Sequence, residues 1–292
     1  IYPNGAPLQS TNTITNVSQN NVIWTMQPTG ANTPTDTRAQ AYNPATGMFM
    51  VMSYFGTPGN ANNQGFKAYT SLDKGQTWTA GADIATSHPN PQYLYTVKCN
   101  GLCYNPTTST WLAVVQFINT GNTSPFTATY TSTNDGQGWT ETTYGLTGFP
   151  SDPWTPIFWK GKYWVGGGSG GTIYSSTDTL TWSASSLGVQ VGTVVRLSVS
   201  DDAMIGWGNA DYHLYTTDGV TWTQFPELNI NNSTWGNGMW VGWGAQNGNT
   251  SYIKTSTNGI NWTQRQAYAP ATIQLHDNTG AYGNGQFIIQ GT

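Results

Sequence analysis

The stretch Ser71-Leu-Asp73-Lys-Gly75-Gln-Thr77-Trp78 decides the fold of this 292-residue chain, because close variants of it occur six times. Each copy has a hydroxyl residue, an Asp or Asn two positions later, usually a Gly, and then a Trp followed by Thr or Ser. The copies lie near residues 18–24, 71–78, 132–139, 176–182, 216–222 and 256–262. Such a repeated unit is typical of a repeat architecture, so the copies have to be interpreted together.

Each copy is predicted to join two β-strands. A short β-type run such as residues 252–256 precedes it, its Asp/Asn-Gly pair supplies the positive φ that a tight hairpin needs, and its Trp opens the next strand. A further apolar run lies upstream, as at residues 48–53 or 111–116, and has its own preceding turn. One unit therefore predicts four consecutive antiparallel strands, the blade of a β-propeller.

Six copies predict an all-β, six-bladed propeller, with seven blades or an open array as the alternatives. The last apolar run, residues 286–289, has no repeat after it, and the first repeat, at 18–24, has no such run before it. We therefore expect the N-terminal strands to complete the last blade of a single domain spanning residues 1–292. Closure of this kind leaves no open sheet edge.

The repeat resembles the Asp-box, or bacterial neuraminidase repeat, of sialidase-like β-propellers. The resemblance covers essentially the whole chain, although the full Ser-x-Asp-x-Gly-x-Thr-Trp form stands only at residues 71–78. In that family the motif is a structural turn whose hydroxyl and carboxylate bind backbone amides and whose Trp packs between blades. The resemblance implies that ligands bind on the opposite rim, over the central channel.

Composition narrows the classes of function. Charged residues make up 8% of the chain, against roughly 25% in ordinary soluble domains. A net charge of -4, with nine scattered Lys and Arg residues, argues against nucleic-acid binding. No apolar run reaches the length of a membrane span. Chains poor in charge and rich in Asn, Thr, Gly and Trp are typical of secreted, cell-surface or phage-virion proteins, and Ile1 in place of Met predicts a removed leader or a fragment.

The two cysteines, Cys99 and Cys103, match no common zinc or redox spacing. On one continuous strand they would lie about 13 Å apart, too far for a disulfide. A turn at Asn100-Gly101 would instead allow a small disulfide loop. Buried free thiols and a local bridge both remain open, and the dispersed histidines predict no metal site or cofactor.

Sialidase chemistry would need three arginines around the substrate carboxylate, a Tyr paired with a Glu, and an Asp acid/base. The chain has three arginines in all. Arg38 and Arg196 lie near predicted inner strands, whereas Arg265 follows a repeat Trp. No Arg-Ile-Pro signature and no Tyr–Glu pair can be identified, so the sequence favours a binding protein over an enzyme, and no catalytic residue is assigned.

A general glycoside hydrolase would need two carboxylates at a cleft. Asp36, Asp152 and Asp277 lie in suitable loops, while the Asp residues of the repeat are committed to turns. Loop Asp residues are common, so this pattern alone does not indicate catalysis. A sialidase-like glycosidase stays as an alternative function.

Aromatic residues indicate a different kind of site. Most of the 14 Trp, 16 Tyr and 9 Phe belong to blade packing, but aromatic faces beside Asn, Asp and Gln suit sugars, as in lectins. The predicted function is therefore glycan binding by a non-catalytic, extracellular or virion-associated propeller whose partner is a glycan or cell-surface polysaccharide. A structural virion or surface module that contacts other proteins is a further alternative. The candidate ligand-binding residues are Asp36, Arg38, Trp154, Arg196, Trp207, Trp243, His276 and Asp277.

Overall fold

The computed structural model describes residues 37–56, 64–73, 75–84, 95–119, 126–144, 156–167, 172–185, 187, 194–208, 212–226, 229–246, 250–268, 275–283 and 286–291. These residues form five four-stranded antiparallel sheets and one two-stranded sheet. Strand order within every sheet follows the chain, so each sheet is a meander of consecutive strands. Nowhere in these ranges is there a helix long and apolar enough to span a membrane.

The first three sheets cover the N-terminal half of the described chain. Sheet 1 contains β1 (Thr37–Asn43), β2 (Met48–Gly56), β3 (Gln64–Ser71) and β4 (Thr79–Ile84). Sheet 2 contains β5 (Tyr95–Asn105), β6 (Thr110–Asn119), β7 (Phe126–Ser132) and β8 (Thr140–Tyr144). Sheet 3 contains β9 (Ile157–Trp159), β10 (Lys162–Gly167), β11 (Thr172–Ser176) and β12 (Ser183–Ser185).

The remaining sheets follow in the same pattern. Sheet 4 contains β13 (Val194–Val199), β14 (Met204–Gly208), β15 (Tyr212–Thr216) and β16 (Thr223–Pro226). Sheet 5 contains β17 (Asn232–Gly236), β18 (Met239–Gln246), β19 (Thr250–Ser256) and β20 (Thr263–Tyr268). Sheet 6 contains β21 (Leu275–Gly283) and β22 (Gln286–Gly291).

Five of the repeat copies connect the third and fourth strands of the four-stranded sheets, which confirms the predicted sheet unit. The sixth copy, at residues 18–24, lies outside the described residues, as do the N-terminal strands expected to complete the last sheet.

The first strands of successive sheets contact one another. Contacts join β1 to β5, β5 to β9, β9 to β13, β13 to β17 and β17 to β21. The first strand of each sheet is therefore the innermost one, and the sheets follow one another around a shared centre. In an antiparallel meander of this order, the repeat turns and the turns between first and second strands lie at one end, and all other loops lie at the opposite end.

A cross-strand pair lies at the turn between the first and second strands of every sheet, and we call these pairs the hairpin pairs. Five of the six are aromatic, with ring centroids 4.6–5.2 Å apart. The pairs are Tyr42–Phe49, Tyr104–Trp111, Phe158–Tyr163, Val199–Met204, Trp235–Trp240 and Tyr282–Phe287.

Each hairpin pair from sheet 2 onward packs against the sheet before it. Trp111 of sheet 2 shares a core cluster with Met50 of sheet 1. The Tyr163 hydroxyl of sheet 3 accepts a hydrogen bond from Asn105 Nδ2 of sheet 2 at 3.0 Å. Tyr282 of sheet 6 lies against a glycine of sheet 5. Burial of these side chains contributes to the hydrophobic packing that joins neighbouring sheets.

Cys99 and Cys103 are both buried and unpaired. A register shift at Asn100 separates them, because Cys99 pairs with Val115 whereas Cys103 pairs with Leu112. The extra residue reverses the alternation of side chains along β5. Cys99 therefore lies in the core shared with sheet 1 and Cys103 in the core shared with sheet 3, and the disulfide alternative is excluded.

Candidate functional site

The repeat turns are held by their own hydroxyl and carboxylate groups. In sheet 4, Thr216 Oγ1 donates to Asp218 Oδ1 at 3.0 Å and accepts from the Gly219 amide at 2.8 Å. The amides of Val220 and Thr221 both donate to Asp218 Oδ1 at 2.8 Å. These amide bonds, followed by the hydroxyl bond, lower the pKa of Asp218 to about 2. The carboxylate is thus engaged in the turn.

The hydroxyl-to-side-chain bond recurs in the other repeat turns, with either Asp or Asn as the acceptor. The hydroxyls of Ser71, Ser132, Ser176 and Ser256 each donate to the Asp or Asn side chain two residues later at 2.8–3.0 Å. In sheet 5, the amides of Ile260 and Asn261 donate to Asn258 Oδ1 at 3.0 and 2.9 Å, as they do to an Asp elsewhere. The side-chain oxygen, rather than its charge, is what the turn requires.

At the end of the molecule opposite the repeat turns, most of the described residues are in strands. Asp36 and Trp154, both predicted to bind ligand, lie outside the described residues. The backbones of Arg38, His276 and Asp277 lie in innermost strands, the first in β1 and the other two in β21. Arg196 lies in β13, a third innermost strand.

Four innermost strands carry a register shift. In β1 the extra residue is Arg38, because Thr37 pairs with Ser53 while Ala39 pairs with Met52. The other shifts fall at Asn100 in β5, Val195 in β13 and residues 276–279 in β21. We call the four shifts together the bulge level.

The hairpin pairs show that these shifts lie at one height. Met52 and Ser53, opposite the shift in β1, are the third and fourth residues after Phe49 of the hairpin pair. In sheet 2, Val114 and Val115 lie opposite the shift in β5 and are the third and fourth residues after Trp111. In sheet 4, Trp207 and Gly208 lie opposite the shift in β13 and are the third and fourth residues after Met204. In β22 the shift falls between Ile289 and Gly291, second and fourth after Phe287.

Four of the eight predicted site residues lie at or next to the bulge level. Bulges bend a strand and redirect its side chains, and they concentrate at rims and beside binding sites. Arg38, His276 and Asp277 lie within shifts, and Arg196 directly follows one. Sequence reasoning missed Asn100, whose Asn-Gly signal was interpreted as a possible turn.

Arg196 lies in a polar cluster between sheets 4 and 5. Its guanidinium NH1 donates to the Asn231 carbonyl at 3.4 Å, and the side chain is half-buried. The Asn231 amide donates to the Trp243 carbonyl at 2.9 Å, and Asn232 Oδ1 accepts from the Ser233 amide at 2.8 Å. Arg196, Asn231 and Asn232, which we call the Arg196 cluster, place a cation on the backbone carbonyl of the first of two consecutive asparagines.

Trp207 and Trp243 are buried, with 2% and 0% of their surface exposed. The Trp207 indole donates to Ser198 Oγ at 3.1 Å and to Ser233 Oγ at 3.0 Å, joining sheets 4 and 5. Burial keeps both ring faces from solvent, so they are not available for the stacking on sugars that the sequence suggested.

His213 in β15 stacks between Trp207 and Phe225, with ring centroids 5.2 and 5.4 Å away. Neither of its ring nitrogens has a partner in good hydrogen-bond geometry. Burial lowers the pKa of His213 to about 4, although the nearby carbonyls of Gly259 and Pro226 favour the charged form. His213 is therefore neutral at neutral pH and belongs to the packing between sheets 4 and 5.

A Tyr–Glu pair that sequence reasoning did not identify does occur. Tyr130 in β7 donates to Glu141 Oε2 in β8 at 2.9 Å. These are the outer two strands of sheet 2, away from the innermost strands that carry Arg38 and Arg196. Within the described ranges, no three His, Cys, Asp or Glu side chains are grouped as metal ligands would be.

No protein-family model and no curated protein matches this sequence. Solved structures do. The α-L-arabinofuranosidase Arb93A of Fusarium graminearum is 14% identical over 88% of each chain, with a TM-score of 0.58. The fold is a β-propeller.

Two other solved structures match to a similar degree. The Penicillium chrysogenum α-L-arabinanase is 16% identical, covering 78% of this chain and 80% of its own, with a TM-score of 0.54. YCF48, solved bound to a D1 peptide, is 14% identical, covering 88% and 76%, with a TM-score of 0.55. At these identities the likeness concerns the propeller fold alone.

Proposed function

We propose that this propeller is a non-catalytic glycan-binding protein that acts outside the cell or on a virion, and that the glycan binds at the bulge level. The observation that supports the proposal is that Arg38, Arg196, His276 and Asp277 each lie at or next to a register shift, at one height of three innermost strands. These residue types offer hydrogen-bond donors and acceptors for sugar hydroxyls, and the arginines add affinity for an acidic sugar.

The Arg196 cluster supports this location. A half-buried arginine and two half-buried asparagines provide polar groups where sheets 4 and 5 meet. The arabinanase that shares the fold was solved with arabinobiose, and the arabinofuranosidase with an iminosugar inhibitor. Propellers of this kind are thus compatible with sugar ligands.

We further propose that the propeller has six blades and forms one domain over residues 1–292. The repeat at residues 18–24 would be the turn between the third and fourth strands of the sixth blade, which β21 and β22 begin. The repeat turns would then all be Asp-box turns. This arrangement is supported by the five sheets that already carry the repeat at that position.

A glycan array run beside a panel of fluorogenic glycosides tests the function. We expect binding to at least one glycan class and no hydrolysis. Arg196→Gln should weaken binding at least tenfold, because a hydrogen bond to a charged group contributes about 1.5–3 kcal/mol. Arg265→Gln is the matched control, since Arg265 lies exposed in β20 and donates to Thr255 Oγ1 at 2.8 Å.

Three outcomes would contradict the proposal. An array without hits would favour the structural module, and turnover of a glycoside would favour the glycosidase alternative. Equal loss of binding in both arginine variants would place the ligand away from Arg196.

A further inference from the structure

Asn-Gly pairs are chemically labile, because glycine has no side chain to keep its backbone nitrogen away from the preceding asparagine side chain. The sequence contains six such pairs, and the structure describes three of them, at residues 100–101, 237–238 and 258–259. The first pair lies inside β5, and the other two lie in turns. Because the dipeptide is the same in each case, the surroundings decide which pair can react in the folded protein.

Asn237 and Gly238 form the two-residue turn between β17 and β18. Their φ angles are +49° and +70°, and Gly236 and Met239 on either side pair with each other, as in a type I′ hairpin. Both turn residues are exposed. Among the described residues, no hydrogen bond involves the Asn237 side chain or the Gly238 amide. A Cβ added at Gly238 would meet no atom within 4 Å, so the side-chain carbon and the amide nitrogen are free to approach each other.

The same dipeptide in the repeat turn of sheet 5 is held by hydrogen bonds. The amide of Gly259, which is buried, donates to Ser256 Oγ at 2.9 Å. Asn258 Oδ1 accepts from the Ser256 hydroxyl at 3.0 Å and from the amides of Ile260 and Asn261 at 3.0 and 2.9 Å. Attack of the Gly259 nitrogen on the Asn258 side chain would have to break these bonds first. The repeat turn therefore protects its asparagine.

We propose that Asn237 is a site of spontaneous deamidation in the folded protein, and that the repeat turn keeps Asn258 unmodified. The Gly238 amide nitrogen loses its proton and forms a bond to Asn237 Cγ. The Cγ–Nδ2 bond breaks, and Nδ2 leaves as ammonia with that proton. Water then opens the resulting succinimide at one of its two carbonyl carbons, which gives aspartate or isoaspartate. Water is the one co-reactant that this sequence of steps needs.

The product would lie beside a contact between sheets 5 and 6. Gly236, which directly precedes Asn237, lies against the ring of Tyr282 in sheet 6. Either product adds a negative charge to the turn, and isoaspartate also adds one carbon atom to its backbone. The modification therefore changes a two-residue turn whose length sets the register of β17 and β18.

The test incubates the full chain in mildly alkaline buffer and maps each asparagine by digestion in mild acid and mass spectrometry. Asn237 should deamidate at least about tenfold faster than Asn258, because the reaction at Asn258 must break several hydrogen bonds. In denaturant, where the turns are lost, the two rates should come close together. Incubation in water enriched in heavy oxygen should label the new carboxyl group, as opening of a succinimide requires.

Two variants show that the surroundings control the reaction. Ser256→Ala removes the acceptor of the Gly259 amide, so it should speed deamidation of Asn258 and leave the rate at Asn237 unchanged. Gly238→Ala should slow the reaction at Asn237, because a side chain then stands beside the attacking nitrogen. Circular dichroism checks that each variant is folded, and the comparison of native with denatured wild-type chain needs neither variant.

Two results would overturn the proposal. One is an Asn237 that stays unmodified in the native chain while it reacts in denaturant. The other is an equal rate at Asn237 and Asn258 in the native chain. The measurement involves no glycan, so its outcome is independent of the proposed function.

Discussion

Gly219, in the repeat turn of sheet 4, lies directly against the indole ring of Trp164 in sheet 3, and a Cβ at position 219 would overlap the ring. The same turn position in sheet 2, Gly136, lies against Met50 of sheet 1. The repeat turn therefore not only connects two strands but also joins its sheet to the preceding one. Glycine suits position 219 for two reasons: a side chain there would overlap Trp164, and the backbone has a φ of +73°, which glycine adopts readily.

The substitution Gly219→Ala is expected to destabilise the protein by about 2–5 kcal/mol. Overpacking against Trp164 contributes about 1–3 kcal/mol and the left-handed backbone about 1–2 kcal/mol. Chemical denaturation measures the change in the free energy of unfolding. Gly238→Ala is the control, since Gly238 has a φ of +70° but a Cβ added there would meet no atom within 4 Å. Equal losses in the two variants would show that contact with Trp164 does not matter.

The side chain of Asp218 should be replaceable by Asn but not by Ala. Asp218→Ala removes the acceptor of two backbone amides, so the Tm should fall, whereas Asp218→Asn should keep most of the stability because Asn258 makes the same bonds in sheet 5. The pKa of Asp218 is lowered, so its contribution is present above pH 3.8 and is lost as the pH falls towards about 2. A Tm for Asp218→Asn as low as that of Asp218→Ala would contradict this account.

His213 should make the protein less stable in mild acid. Its pKa is lowered from 6.5 to about 4 in the folded state, so the unfolded chain takes up a proton first as the pH falls. Stability is therefore complete above pH 6.5 and decreases between pH 6.5 and 4 by at most about 3 kcal/mol. In His213→Phe, the free energy of unfolding should differ less between about pH 7.5 and about pH 4.5, which lie on either side of the ordinary histidine pKa. Denaturation curves at the two pH values measure this difference. An unchanged slope in the variant would assign the effect to other groups.

Cys99 and Cys103 should be unreactive in the folded protein. Burial raises the pKa of Cys99 to about 12 and that of Cys103 further above its ordinary value, so neither forms a thiolate at neutral pH. A thiol reagent should label both residues only after unfolding, without prior reduction. Labelling that requires a reductant would reveal a disulfide, and rapid labelling of the native chain would show that the cores around β5 open.

Much of the fold could be predicted because the repeat is local. A hydroxyl, an Asp or Asn and a Gly within a few residues specify a turn through bonds among themselves, as at Thr216 to Gly219. The order of strands in each sheet then follows from chain proximity. Glycan binding is still a prediction, because no such local motif specifies it.

The sequence by itself determined the sheet unit, its repetition and the turns, since each depends on residues close together in the chain. Only the tertiary structure decided which side chains are buried and which lie at one height. Trp243 is fully buried, and Trp207 is enclosed because sheet 5 packs on it. Arg38 and Asn100 lie at the same height of their strands because each is the single extra residue that shifts the register, Arg38 in β1 and Asn100 in β5. Contacts between distant segments set both features, and local sequence pattern does not record them.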